Sequence, residues 1–372
     1  MYHLIFVFFT ALIVVLFSTP ALIKVAFLKR LFDEPGGERK IHTRIVPTIG
    51  GIIIFAATLF SFALWFPYDF PDMELLRKWT REFQFIVCAL LIIFFVGIKD
   101  DIIGTAPIKK LASQIIVGMI LVLMAEIRIR SLHGLFGVQD IPLWASVFLT
   151  LFVYIVSINA FNLIDGVDGL AAGLGLLGGL GFGFLFFLAN DIVMCLLAFS
   201  LAGSLFAFLI FNFAPAKIFM GDSGSMIIGL VMAILAIKFV ETSPPQNINP
   251  LFSKLFTPVV SMSIIAYALT DTLRIFLRRA LRGVSPFVAD RHHLHHLLID
   301  SNMSHAKTVL CIYFANILII GVACATSIYS ISISFFLTLG FVIFLVVLTW
   351  LFKLYCQKKI SKTQVIDQAE SI

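Results

Sequence analysis

Asn159-Ala-Phe-Asn-Leu-Ile-Asp-Gly-Val-Asp-Gly-Leu170 decides how the rest of the chain is read. Two carboxylates, Asp165 and Asp168, stand close together, each followed by a glycine, and two carboxamides, Asn159 and Asn162, lie just upstream. On a helix this spacing puts Asn162, Asp165 and Asp168 near one face, and the glycines permit a break. Apolar runs too long for soluble strands flank the stretch on both sides. Acidic groups at the mouth of a membrane span are costly unless something binds there. The stretch therefore reads as one wall of a metal and phosphate site at a membrane surface. The bland alternative is a glycine-rich helix entry with incidental acids.

The composition agrees with that setting. Of 372 residues, 60% are hydrophobic and 13% charged, whereas soluble domains are about half apolar and a quarter charged. Mean hydropathy is +1.05. The expected class is an all-α polytopic membrane protein. The five cysteines show no C-x-x-C spacing, so neither a disulfide framework nor a cysteine zinc site is expected. The first apolar stretch lacks a basic n-region and is long for a signal-peptide core, so it reads as a retained span.

A span needs about 20 apolar residues, which gives about eleven spans. Their expected limits are 2–27, 48–66, 83–98, 107–125, 143–158, 169–188, 192–211, 225–240, 256–275, 306–328 and 331–354. Glycines crowd the sixth, which reads as close packing of helices by small residues. Residues 1–354 form one integral membrane domain and 355–372 a polar cytoplasmic tail. The odd-numbered loops and the tail hold about 20 of the Lys and Arg residues, against about 7 elsewhere, and basic loops stay in the cytoplasm. The N-terminus is thus expected on the outer, periplasmic side and the C-terminus in the cytoplasm. No nucleic-acid partner is expected. The unusual polar clusters fall on the cytoplasmic face, whereas a transporter would place ionisable groups near mid-bilayer.

Four further clusters accompany the opening stretch. Asp100-Asp101 ends the third expected span, and adjacent carboxylates repel each other unless a cation intervenes. Lys109, Lys110 and Gln114 follow. In Phe219-Met-Gly-Asp-Ser-Gly-Ser225, Asp222 stands at an expected helix start, either as a plain cap or as an oxygen ligand for Mg²⁺, with Mn²⁺ as the substitute. In Asp290-Arg-His-His-Leu-His-His296 the histidines suggest zinc or an ordinary surface. The favoured reading is that Arg291, His293 and His295 bind or protonate phosphate oxygens. Lys40, His42 and Arg44 form a basic patch that either follows the cytoplasmic charge bias or meets an anionic substrate.

Taken in order, Gly97-Ile-Lys-Asp-Asp101, Asn159-x-x-Asn-x-x-Asp-Gly-x-Asp-Gly-Leu170, Met220-Gly-Asp-Ser-Gly-Ser225 and Asp290-Arg-x-His-Leu-His-His296 resemble the polyprenyl-phosphate N-acetylhexosamine-1-phosphate transferases. The separated pair His293-Leu-His295 is more similar to the branch that acts with N-acetylglucosamine and undecaprenyl phosphate than to the peptidoglycan branch; His292 blurs the distinction.

The resemblance implies a fold of eleven spans with a cytoplasmic active site. It implies that Asp222 ligates Mg²⁺, that Asp100 is a base or nucleophile, and that Asp101 lies in the metal and phosphate region. Asn159, Asn162, Asp165 and Asp168 would hold nucleotide and pyrophosphate, Lys110 (with Lys109 as rival) the phosphates, and His293 and His295 the diphosphate or sugar. The partners implied are UDP-N-acetylglucosamine, undecaprenyl phosphate, the bilayer and, by family analogy, a second copy of the chain. The product would open a cell-surface polysaccharide: O-antigen, common antigen or wall polymer. The alternatives are the same chemistry on another UDP-2-acetamido sugar, or a transporter or flippase.

Overall fold

The computed structural model describes residues 2–29, 32–33, 46–281, 283 and 293–370. Within them the apolar stretches become helices, as they must where no water can satisfy a free backbone group. α1 (Tyr2–Lys29) is followed by a ribbon of two short strands, β1 (Phe32–Asp33) and β2 (Val46–Pro47), then by α2 (Gly50–Leu64) and α3 (Met73–Ile103). α4 (Pro107–Met119) runs into a π-helical turn (Ile120–Met124), then a hairpin of β3 (Ser131–Leu135) and β4 (Val138–Asp140). α5 (Leu143–Ile164), α6 (Leu170–Ala189), α7 (Ile192–Asn212) and α8 (Gly221–Val240) form the middle of the bundle. The chain ends with the short α9 (Pro250–Ser253), α10 (Pro258–Ile264), α11 (Ala266–Leu281), α12 (Leu294–Ile299), α13 (His305–Thr326) and α14 (Ile331–Glu370).

The protein is an all-α polytopic membrane protein with two minor strand pairs. Each expected span falls on helix. Among the described residues eight helices are long and apolar enough to cross a membrane, or up to nine if the bent pair α10–α11 counts as one. α2 is a shorter apolar helix, and stretch 83–98 lies inside the 31-residue α3. The polar tail begins within α14, which runs on to Glu370.

α8 is the axis of the bundle. Residues 223–237 are all buried, as expected of a helix that is apolar on every side. Glycines let its neighbours close on it. A Cβ on Gly97 of α3 would lie 2.4 Å from Ser223 Cα, and one on Gly51 of α2 would lie 2.2 Å from Gly224 N. The glycine-rich α6 packs in the same way: a Cβ on Gly179 would come within 3.0 Å of the Ala198 carbonyl.

The ninth expected span is broken rather than straight. α10 and α11 meet at 78° around Ile265. The backbone groups freed there are satisfied by buried Asn316 of α13, whose amide donates to Ile264 O at 3.2 Å and whose carbonyl accepts from Tyr267 N at 3.3 Å. The bend lays α11 beneath the histidine segment.

Candidate active site

The C-terminal ends of α3 and α5 meet the N-terminal ends of α4, α6 and α8. Between them lies a cavity of about 580 Å³. Asp100 and Asp101, Asn162, Asp165 and Asp168, Asp222, and His293 and His295 all line it. Residues scattered over nearly 200 positions of sequence thus converge, as the motifs require. His42 and Arg291, with Asp290 and His292, lie outside the described residues.

Two carboxylates share one ammonium at the centre. Lys110 Nζ is 2.7 Å from Asp100 Oδ2 and 2.5 Å from Asp222 Oδ2. Its rival Lys109 is exposed. Burial raises the Asp100 pKa, and the neighbouring Asp222 carboxylate adds to the rise against the pull of Lys110.

Asp101 turns the other way and fastens the helix that carries Asp222. Its Oδ1 accepts from Asp222 N at 2.7 Å and its Oδ2 from Ser223 N at 3.1 Å. It thereby satisfies orphan N–H groups at the start of α8 and meets the positive end of that helix. Burial lifts its carboxyl to about 6, against the hydrogen bonds from Ser223 and Asp222. Gly221, at φ +74°, is needed here: a Cβ would lie 2.8 Å from the Asp101 carboxylate.

The opening stretch divides into wall and scaffold. Asp165 follows the last residue of α5, half-buried, and desolvation together with the charges of Asp222, Asp101 and Asp168 raises its pKa well above the ordinary carboxylate range. Asp168 is buried and its Oδ2 accepts from Ala216 N at 3.0 Å, tying the α5–α6 turn to the α7–α8 connection. Asn162 donates to Ser225 Oγ at 3.0 Å. Asn159 is not among the residues lining the cavity. Its amide donates to Gln114 Oε1 at 2.7 Å and to Ile155 O at 2.7 Å, which joins α5 to α4.

The histidines are set by a residue that the sequence reading missed. Asp271 of α11 is fully buried. Its Oδ2 is 3.0 Å from His293 Nδ1, and its Oδ1 accepts from Leu294 N at 2.9 Å and from Arg274 at 3.1 Å. A carboxylate on Nδ1 leaves Nε2 of His293 as the nitrogen available to a ligand. His295, 1% exposed, stacks on His293 with ring centroids 5.3 Å apart. Burial lowers its pKa to about 3 despite Asp271, so at neutral pH it is an uncharged imidazole. The available signal for Asp271 was an aspartate inside the ninth expected span, a costly placement without a function. Arg279, Thr48, Asn212 and His296 also line the cavity and were not singled out.

Among the described residues no three His, Cys, Asp or Glu side chains form a group that could hold a metal ion. Mg²⁺ needs no such group: it takes one or two carboxylates and fills its shell with water and substrate phosphate. Asp100 and Asp222 meet that demand. Their oxygens already converge on one cationic centre.

The sequence profile of glycosyl transferase family 4 matches residues 83–240. Among similar proteins, an undecaprenyl-phosphate alpha-N-acetylglucosaminyl 1-phosphate transferase of Yersinia pestis is 31% identical over 297 residues, 78% of this chain and 76% of that one. The protein of that name in Escherichia coli K12 is 29% identical over 78% of this chain and 75% of its own length. A decaprenyl-phosphate N-acetylglucosaminephosphotransferase of Mycolicibacterium smegmatis is 33% identical over 74% of this chain and 70% of its own.

Proposed function

We propose a single reaction for this protein, from the premise that the chain belongs to glycosyl transferase family 4. It is a phosphoglycosyl transferase that moves N-acetylglucosamine 1-phosphate from UDP-N-acetylglucosamine to undecaprenyl phosphate. The products are undecaprenyl-diphospho-N-acetylglucosamine and UMP. The observation that carries this reading is the Lys110 ammonium held between Asp100 and Asp222, two of the carboxylates that line the cavity at the helix ends.

An oxygen of the lipid phosphate attacks the phosphorus that bears the sugar. A new P–O bond forms, the bond to the UMP oxygen breaks, and the electron pair leaves with UMP. One pyrophosphate is exchanged for another, so catalysis rests on positioning and charge neutralisation rather than on driving force. A phosphate monoester has a second pKa of about 6, so the attacking group is mostly dianionic at neutral pH. Attack is direct, and Asp100 orients Lys110 rather than forming a phospho-enzyme. Asp222 and Asp100 would hold Mg²⁺, with Mn²⁺ as substitute, and bound there it would neutralise phosphate oxygens. Lys110, oriented by Asp100, would direct its ammonium to the diphosphate. His293, fixed by Asp271, offers Nε2 to the sugar phosphate, and neutral His295 supports it. Asp165 and Asp168 shape the nucleotide wall.

The site faces the cytoplasm of a bacterial inner membrane, a placement supported by the basic residues that crowd the same loops. The test is UMP release by purified protein given undecaprenyl phosphate, Mg²⁺ and a panel of UDP-sugars. UDP-N-acetylglucosamine should be the best donor. Release with another 2-acetamido sugar alone would change the substrate. No UMP release with any donor would favour a transporter. Labelled protein recovered after incubation with sugar nucleotide alone would replace direct attack by a covalent step on Asp100.

A further inference from the structure

The molecule has a second polar cavity, of about 720 Å³, across the bundle from the first. It lies between residues 75–82 of α3, the segment 125–130 after the π-helical turn, the α6–α7 turn and the C-terminal end of α8. Asp222 and Lys238 stand at opposite ends of α8, about 24 Å apart by helical rise. The two cavities thus open at opposite faces of the membrane.

Basic residues are scarce on that second face, and they are not scattered there. Arg77, Lys78, Arg81, Arg128, Arg130 and Lys238 all line the cavity. They are every Lys and Arg outside the basic loops except Lys254. Four carboxylates, Glu82, Glu126, Asp191 and Glu241, line it too. Two of these pair with cations and two accept backbone hydrogen bonds, so six cationic side chains line the cavity against four carboxylates. Glu82 pairs with Lys238. Glu126 is shared by Arg81 at 3.3 Å and Arg130 at 3.1 Å. Glu241 accepts from Arg130 N at 2.7 Å, and Asp191 accepts from Met194 N at the start of α7. Arg77, Lys78 and Arg128 are in no ion pair among the described residues; Arg128 reaches only Ser146 Oγ, at 3.2 Å. The cavity therefore keeps an excess of guanidinium and ammonium groups within a concave wall, and the guanidinium fork matches phosphate oxygens.

We propose that this cavity is a second ligand site, specific for a phosphate group presented at the face opposite the transferase site. The group comes from a lipid head group or from free phosphate. Membrane access is built in: Leu123 and Met124 of the π-helical turn are half-exposed immediately before the lining residues Ala125 and Glu126. The Glu82–Lys238 pair at its wall joins α3 to α8, the same two helices that Asp101 joins at the transferase end.

Full-length protein in detergent, stripped of lipid, is offered phosphatidylglycerol or phosphatidylcholine, and bound lipid is counted by native mass spectrometry. Radiolabelled inorganic phosphate is measured separately by equilibrium dialysis. Wild type is compared with R77Q/R128Q and with R77Q/K78Q, the latter touching only exposed side chains so that folding is spared. Losing two charged donors should weaken retention at least about tenfold, with UMP release unchanged. A selective loss of phosphatidylglycerol identifies a lipid head group, and a loss of inorganic phosphate identifies the free anion. If wild type and both variants hold every probe equally, or hold none, the proposal is overturned.

Discussion

The two ends of the α3–α8 pair solve one problem in opposite ways. At each end a lysine meets carboxylates from these helices. At the far end Lys238 of α8 pairs with Glu82 of α3, and Glu82 is 3% exposed. At the site end the lysine belongs to a third helix, α4, and reaches both carboxylates beside the cavity that they line. The first is a fastening between helices; removing either partner strands a buried charge. Under the proposed function the second would be an exchangeable cation: the carboxylates of Asp100 and Asp222 would accept a divalent ion once the ammonium moved to a phosphate. Structural attachment at the site end is delegated to Asp101, which holds the α8 backbone and frees Asp222 to face the cavity.

The comparison can be broken by substitution. Asp222→Asn should lower the rate of UMP release by about 10³-fold, as loss of a charge-stabilising group does, with little change in melting temperature. A full loss of folding instead would make Asp222 a fastening too. Glu82→Gln should do the reverse, destabilising by about 3 kcal/mol as a broken buried pair does, while the folded fraction keeps its turnover. The double variant Glu82→Gln/Lys238→Met should recover part of that stability in thermal unfolding in detergent. Undiminished stability of Glu82→Gln would remove the contrast.

Two smaller effects sharpen the account of the histidine wall. His295 has a folded pKa of about 3, against about 6.5 unfolded. The unfolded state therefore binds more protons between these values, and the contribution is complete above pH 6.5 and lost as pH falls. Acidification from pH 7 to 5 should destabilise wild type by about 2 kcal/mol more than His295→Gln. Equal acid sensitivity would mean that His295 is not held neutral. Asp271→Asn should reduce kcat by roughly tenfold or more through the His293 orientation and shift the pH–rate profile. A purely structural role would lower the yield of folded protein but leave the profile in place.

Much of the site was legible because its chemistry is contiguous in short motifs. Asp100, Asp165, Asp168 and Asp222 each stand beside glycines or other polar residues at the end of an apolar run, and every one reached the cavity. Asn159 is the instructive exception. The resemblance assigned it to the nucleotide, but Gln114 on the neighbouring helix takes its amide, a pairing that a motif cannot show. The break at Ile265 was hidden because its stabilising partner, Asn316, lies on another helix. Asp271 was hidden by that same error, since a straight ninth span gave it no histidine to meet. The second cavity was illegible for a different reason: Arg77 and Arg128 look like ordinary loop charges until the fold gathers them with Lys238.

The central claim is that Asp100 and Asp222 hold a divalent cation which the phosphates of the substrates share. Paramagnetic resonance of Mn²⁺ added to the purified protein tests it directly, with and without UDP-N-acetylglucosamine. The account predicts a bound-Mn²⁺ signal that strengthens with the nucleotide sugar and disappears in Asp222→Asn. A signal of equal strength in wild type and Asp222→Asn would contradict it.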